Sequence, residues 1–89
     1  MNYFFVYILR CSDNSYYVGH TDNIEFRIAE HKLGKISGYT SSRLPIECVF
    51  IEQFSTREDA FNAERKIKGW RREKKEALIK GNWKFLSND

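Results

Sequence analysis

Tyr7 and Tyr17, Arg27 and His31, and Glu64 are the residues of this 89-residue chain whose types could share one reaction. Phenols can orient or deprotonate water, a guanidinium neutralises phosphate oxygens, an imidazole carries a proton near neutral pH, and a carboxylate holds a hard cation. Together they point to phosphodiester cleavage. Each also has a plainer reading. A strand tyrosine is commonly an amphipathic core residue with its hydroxyl at the rim, Arg27 and His31 lie four apart on a helix face that water can cover, and Glu64 can pair with Lys68 or Arg27.

Glu64 is the sharpest of the five. Ala60, Ala63, Ile67 and Trp70 recur around it at helical spacing, so its carboxylate faces the interior or a cleft and requires a partner there. Mg²⁺ retaining most of its waters is the simplest metal for a lone carboxylate. Gly19 closes the segment Tyr17-Val18-Gly19, where a missing side chain admits a ligand or another backbone segment, or simply ends a strand. Lys66, Lys68, Arg71, Arg72, Lys74 and Lys75 form a basic cluster that can track a nucleic-acid backbone, with Trp70 and Tyr39 as candidates for stacking on an unpaired base. A solvated helix face interrupted by Glu73 and Glu76 explains the same run.

These groups need elements to hold them. Two aromatic and aliphatic runs, residues 4–10 and 15–20, flank the turn residues Cys11-Ser12-Asp13-Asn14 and read as a β-hairpin. If its loop spans residues 11–15, paired positions sum to an even number and Tyr7 and Tyr17 share a face. The first run is apolar at nearly every position, so helices are expected on both sides of the sheet. Asp22 and Glu25 suggest a capping box for a helix over residues 23–33, with Ile24, Ile28 and Leu33 near one stripe and Gly34 as its stop. On this reading Arg27 and His31 lie away from the stripe.

Residues 35–45, rich in Ser, Thr and Gly and carrying the single proline, read as a long surface loop of the kind that often carries function. A third strand follows over residues 46–54, with Cys48, Phe50 and Glu52 on one face and Val49 and Ile51 on the other. Ser55 and Glu58 suggest a second capping box, for a helix over residues 56–68 ended by Gly69. A third helix is expected over residues 72–80. The chain then carries Trp83 and Phe85.

The composition accommodates this and little else. One domain over residues 1–85, with a short tail at 86–89, is all that the length permits, and 42% hydrophobic with 16% aromatic residues excludes disorder. A net charge of +3 suits a polyanionic partner without demanding one. Cys11 and Cys48 lack metal-site or CxxC spacing and read as packing residues in a reducing compartment. The apolar N-terminus is too short to span a membrane and has no leader pattern, so a cytoplasmic monomer is expected.

With Tyr17-Val18-Gly19 and Phe5-Val6-Tyr7 in place, the chain resembles the GIY-YIG nuclease domain over nearly its whole length. The second segment matches that signature well; in the first, Phe5 stands where the glycine is expected. The resemblance implies an α+β fold, a small three-stranded antiparallel sheet flanked by three helices. It also implies metal-dependent endonuclease activity on DNA, at branched, nicked or single-stranded structures. Tyr7 and Tyr17 would be the paired site tyrosines, Arg27 the phosphate-stabilising arginine, His31 the residue one helical turn later, and Glu64 the single ligand to Mg²⁺. Tyr7 is expected as the base, its phenol acidified by the metal, Arg27 or another cation. His20 follows the second segment without an assigned role, and Asn82 is not assigned. A nucleic-acid-binding module without turnover, or a protein-interaction module, are the alternatives that Phe5 leaves standing.

Overall fold

The computed structural model describes residues 2–81, so Asn82, Trp83, Phe85 and the tail at 86–89 lie outside the described residues. The element order is β1 (Phe4–Arg10), β2 (Tyr16–Thr21), α1 (Ile24–Lys32), β3 (Glu47–Phe54), α2 (Arg57–Lys68) and α3 (Arg72–Ile79). The strands form one antiparallel sheet in the order β2-β1-β3. Its most apolar strand is therefore central, and Val6, Tyr7, Ile8 and Leu9 are all buried. Val6 and Ile8 pack with Val18, Phe50, Ala63, Ile67 and Leu78, so α2 and α3 cover one face. Tyr7 and Leu9 pack with Cys11, Ile46 and Ile24 on the other, the face of α1. Each fully buried Ile or Leu contributes roughly 1.5–3 kcal/mol, which makes this strand the anchor of the domain.

The hairpin loop occupies residues 11–15, closed by Cys11 N–H donating to the Ser15 carbonyl at 2.9 Å. Asn14 takes a positive φ of 68°, which asparagine tolerates, and Asp13 accepts from the Ser15 N–H at 3.0 Å. Tyr7 consequently pairs with Gly19 and Leu9 with Tyr17, so the two tyrosines are diagonal neighbours on one face. Phe5 does not interrupt this. Pairing runs unbroken from Phe5 opposite Thr21 to Arg10 opposite Tyr16.

Three local expectations are corrected. The helix caps lie one residue later than anticipated: Asn23 accepts from Phe26 N–H at 3.2 Å and Thr56 from Asp59 N–H at 3.1 Å. Asp22 instead meets Arg57 at 3.2 Å. A bulge lies between Ile8 opposite Phe50 and Leu9 opposite Cys48, so Cys48 and Phe50 do not share a face. Cys48 joins the Tyr7 cluster and Phe50 the Ile8 cluster.

The third correction concerns α1. Leu33, expected on the buried stripe, is 68% exposed, whereas His31, expected on the outer face, is 1% exposed. The apolar periodicity of this helix is weak, and a histidine with two side-chain partners is buried in preference to a leucine. Gly34, at φ 72°, ends the helix as expected, with its N–H on the His31 carbonyl at 3.0 Å and Lys35 N–H on the Glu30 carbonyl at 3.0 Å.

Candidate active site

His31 is held at both ring nitrogens. Nε2 lies 3.0 Å from the Tyr7 hydroxyl and Nδ1 lies 2.8 Å from the Thr40 hydroxyl, with Tyr7, His31 and Thr40 all buried. The Tyr17 ring closes the cluster, its centroid 5.3 Å from the His31 ring and 6.4 Å from that of Tyr7. Burial first and the Arg27 charge second hold the imidazole below its ordinary pKa, so His31 is neutral near pH 7. Arg27 itself is partly exposed, with Glu30 3.9 Å away.

Tyr7 departs from expectation in its electrostatics. Burial, then the neighbouring Tyr17, push its phenol above the ordinary value; Arg27 works in the opposite direction but does not prevail. A free phenolate at Tyr7 near neutral pH is therefore disfavoured by the protein's own groups, and Arg27 alone does not acidify it.

Gly19 has a different role from the one expected. A Cβ at this position would lie 2.6 Å from the Tyr7 hydroxyl and 2.7 Å from Cζ, so the vacant space is filled by the Tyr7 ring. The close approach is a side chain of the same domain, neither ligand nor backbone. Gly19→Ala is expected to push Tyr7 off His31 and destabilise the domain by roughly 1–3 kcal/mol. Denaturant melts of the variant, with the His31 ring resonances followed by NMR, check both effects.

Glu64, on α2, is 8% exposed and fully partnered by side chains. Oε1 lies 2.5 Å from His20 Nδ1 and Oε2 lies 2.7 Å from Lys68 Nζ. Burial opposes its ionisation, but Lys68 and His20 outweigh burial and keep the carboxyl below its ordinary pKa. The predicted pairing with Lys68 is thus present, that with Arg27 is not, and His20 supplies the second contact. Phe61 packs edge-on against His20, with ring centroids 5.6 Å apart.

The two halves meet along the outer edge of β2. A cleft of about 300 Å³ there is lined by Tyr16, Tyr17, Val18, Tyr39, Lys68 and Lys75. Tyr17 belongs to the His31 cluster and Lys68 holds Glu64. Of the predicted basic cluster, only Lys68 and Lys75 line this cleft; Lys66 and Arg71 do not. Arg72 pairs with Glu76 at 3.0 Å and lies over the Tyr16 ring, while Lys74 lies 4.3 Å from the centroid of Trp70. Trp70 packs against the core, so its place is structural.

Sequence reasoning missed Thr40 and left His20 without a role. Thr40 sits in the loop over residues 35–45, and no periodic pattern announces it. That loop is tied to the hairpin turn by Ser12 N–H donating to the Arg43 carbonyl at 2.9 Å and by Arg43 meeting Asp13 at 3.1 Å. The anchoring carries Thr40 beneath His31 and stacks Tyr39 on Tyr17.

A small α+β domain with paired tyrosines on one hairpin and a buried carboxylate across the sheet edge defines a recognisable class. The GIY-YIG catalytic domain profile matches residues 3–77, and the chain belongs to that family. It is similar to the UPF0213 protein of Haloquadratum walsbyi, 44% identical over 77 residues covering 86% of each chain. UPF0213 protein YazA of Bacillus subtilis is 44% identical over 78 residues, 88% of this chain and 78% of that one. The solution structure of a UPF0213 protein from Bacillus halodurans matches the fold with a TM-score of 0.59 at 35% identity, covering 97% of this chain and 95% of that one. Among the described residues no helix is long and apolar enough to cross a membrane.

Proposed function

We propose that this domain is a metal-dependent endonuclease that hydrolyses phosphodiester bonds in DNA. The observation that carries the reading is the buried chain Tyr7–His31–Thr40, set beside Tyr17, which lines one cleft with Lys68, the partner of Glu64. A purely structural core has little use for it, since burying three polar side chains costs free energy that aliphatic residues would not.

The chain offers a route for one proton. With Nδ1–H donated to the Thr40 hydroxyl, Nε2 is the acceptor for the Tyr7 O–H. Tyr7 oxygen then takes a proton from the attacking water as its own proton passes to His31 Nε2, leaving hydroxide and an imidazolium. No standing phenolate is required, which removes the conflict with the raised pKa of Tyr7. Arg27, partly exposed beside this pair, neutralises a nonbridging phosphate oxygen.

Glu64 is the residue that would hold the metal. Among the described residues no cluster of three or more His, Cys, Asp or Glu forms a closed cage. That donor set fits a hard ion such as Mg²⁺, which keeps most of its waters and asks for one or two carboxylates. Lys68, half-exposed, can release Oε2 to it. When bound, the ion supplies positive charge to the phosphate and leaving oxygen. Cys11 and Cys48 are free thiols, which suits the reducing cytoplasm, and we further infer a monomer that acts in DNA repair or processing.

Incubation of the protein with single-stranded, nicked, branched and duplex DNA is expected to give cleavage with Mg²⁺ and none with EDTA. If every substrate binds and none is cut with Mg²⁺ or Mn²⁺, the domain is a binding module and the proposal fails.

A further inference from the structure

We propose that the cleft on the outer edge of β2 is a pocket for one unpaired nucleotide, seated next to the phosphate that is cut. The pocket rests on the nuclease reading only for the identity of that neighbouring phosphate. Its lining is three tyrosines, Tyr16, Tyr17 and Tyr39, with Val18, Lys68 and Lys75; Glu64 holds the Lys68 ammonium at 2.7 Å and Glu76 accepts from the Tyr16 hydroxyl at 3.2 Å, which leaves Lys75 as the lining cation without a carboxylate partner among the described residues. Rings and cations in one small cleft are complementary to a base joined to a phosphate.

The aromatic wall is built before any ligand arrives. Tyr39 stacks on Tyr17 with centroids 6.1 Å apart and planes 26° apart, and the Arg43 guanidinium lies 3.8 Å from the centroid of Tyr39. Arg43 is fixed in turn by Asp13 at 3.1 Å and by the Tyr39 carbonyl at 2.8 Å. With Tyr17 and Arg43 already against Tyr39, a base entering the cleft would pack along the exposed ring edges of an ordered wall, which costs little further ordering on binding.

Lys75 supplies the second observation. It is half-buried with a pKa lowered by burial and by Arg72, and among the described residues no carboxylate pairs with it. An anion entering the cleft would relieve both conditions. Inorganic phosphate alone would leave the rings unused, and an intact duplex keeps its base faces stacked inside the helix. At about 300 Å³ the cleft lies at the lower end of ligand-pocket sizes, enough for one nucleotide and too small for a base pair. An unpaired nucleotide satisfies both the rings and Lys75.

Fluorescence anisotropy in EDTA tests this without turnover, using a labelled single strand, the same sequence as blunt duplex, and an abasic strand of equal length. The single strand is expected to bind on the order of tenfold more tightly than either competitor. Tyr39→Leu should bring it down to the abasic level, Tyr39→Phe should preserve it, and Lys75→Gln should weaken normal and abasic strands alike. Equal binding of normal and abasic strands, or an unchanged preference in a folded Tyr39→Leu protein, overturns the pocket. The two readings fail separately: the binding pattern without cleavage in Mg²⁺ leaves the pocket standing, and cleavage without base dependence leaves only the nuclease.

Discussion

Glu64→Gln is expected to lower kcat for DNA cleavage on the order of 10³-fold, because it removes the carboxylate proposed to hold the divalent ion while preserving shape. The fold should hardly respond. Lys68 is half-exposed and returns to water when its partner loses charge, and the Gln side-chain oxygen can still accept from His20, so a stability change of about 1 kcal/mol is expected in a urea melt. Lys68→Ala separates the readings further. That variant keeps the carboxylate and frees Oε2, so a lone ligand predicts retained cleavage with altered Mg²⁺ dependence. Wild-type cleavage by Glu64→Gln would remove the metal from this site.

Tyr7→Phe is expected to lower kcat by about 10²–10⁴-fold with little change in KM, the range for losing a positioned proton-transfer group. It also leaves His31 Nε2 buried without its partner, at a cost of roughly 1–3 kcal/mol. The pH dependence of stability distinguishes a neutral buried His31 from a charged one. An unfolded chain protonates histidine near its ordinary pKa of 6.5, whereas in the folded protein burial and then Arg27 hold the His31 pKa lower. Between those values the unfolded state binds more protons, so stability falls as pH drops from about 6.5 toward the folded pKa. Urea melts at about pH 7.5 and about pH 5.5 should reveal this loss in the wild type and its reduction in His31→Gln. A His31→Gln protein with the same acid-side loss would place the titration elsewhere.

Much of this architecture was legible in the chain, and the failures have physical causes. Strong signals read correctly: the uniformly apolar first strand is covered on both faces, the odd-length turn sets Tyr7 and Tyr17 on one face, and the stripe around Glu64 buries it. Side chains with neighbours in three dimensions were misread. Gly19 makes room for the Tyr7 ring from an adjacent strand, and His31 is drawn inward by hydroxyls on two other segments. Adjacent capping candidates, Asp22 or Asn23 and Ser55 or Thr56, differ too little in intrinsic preference for sequence to choose between them. Thr40 was invisible because its burial depends on a loop that is anchored to the hairpin turn by the Asp13 contact of Arg43.

The central place of β1 bears on when the proposed nuclease could first act during its own synthesis. β1 is made first but needs β3, which pairs with its second edge, and the Glu64 helix follows β3 in the chain. During synthesis, therefore, Tyr7, Tyr17 and His31 are present well before Glu64, and the fold cannot close until both have been made. A nascent or truncated chain lacking α2 carries the tyrosines and His31 without Glu64, the carboxylate proposed to hold the metal. On the proposed nuclease function, this order of elements withholds DNA cutting from any product of translation that ends before α2.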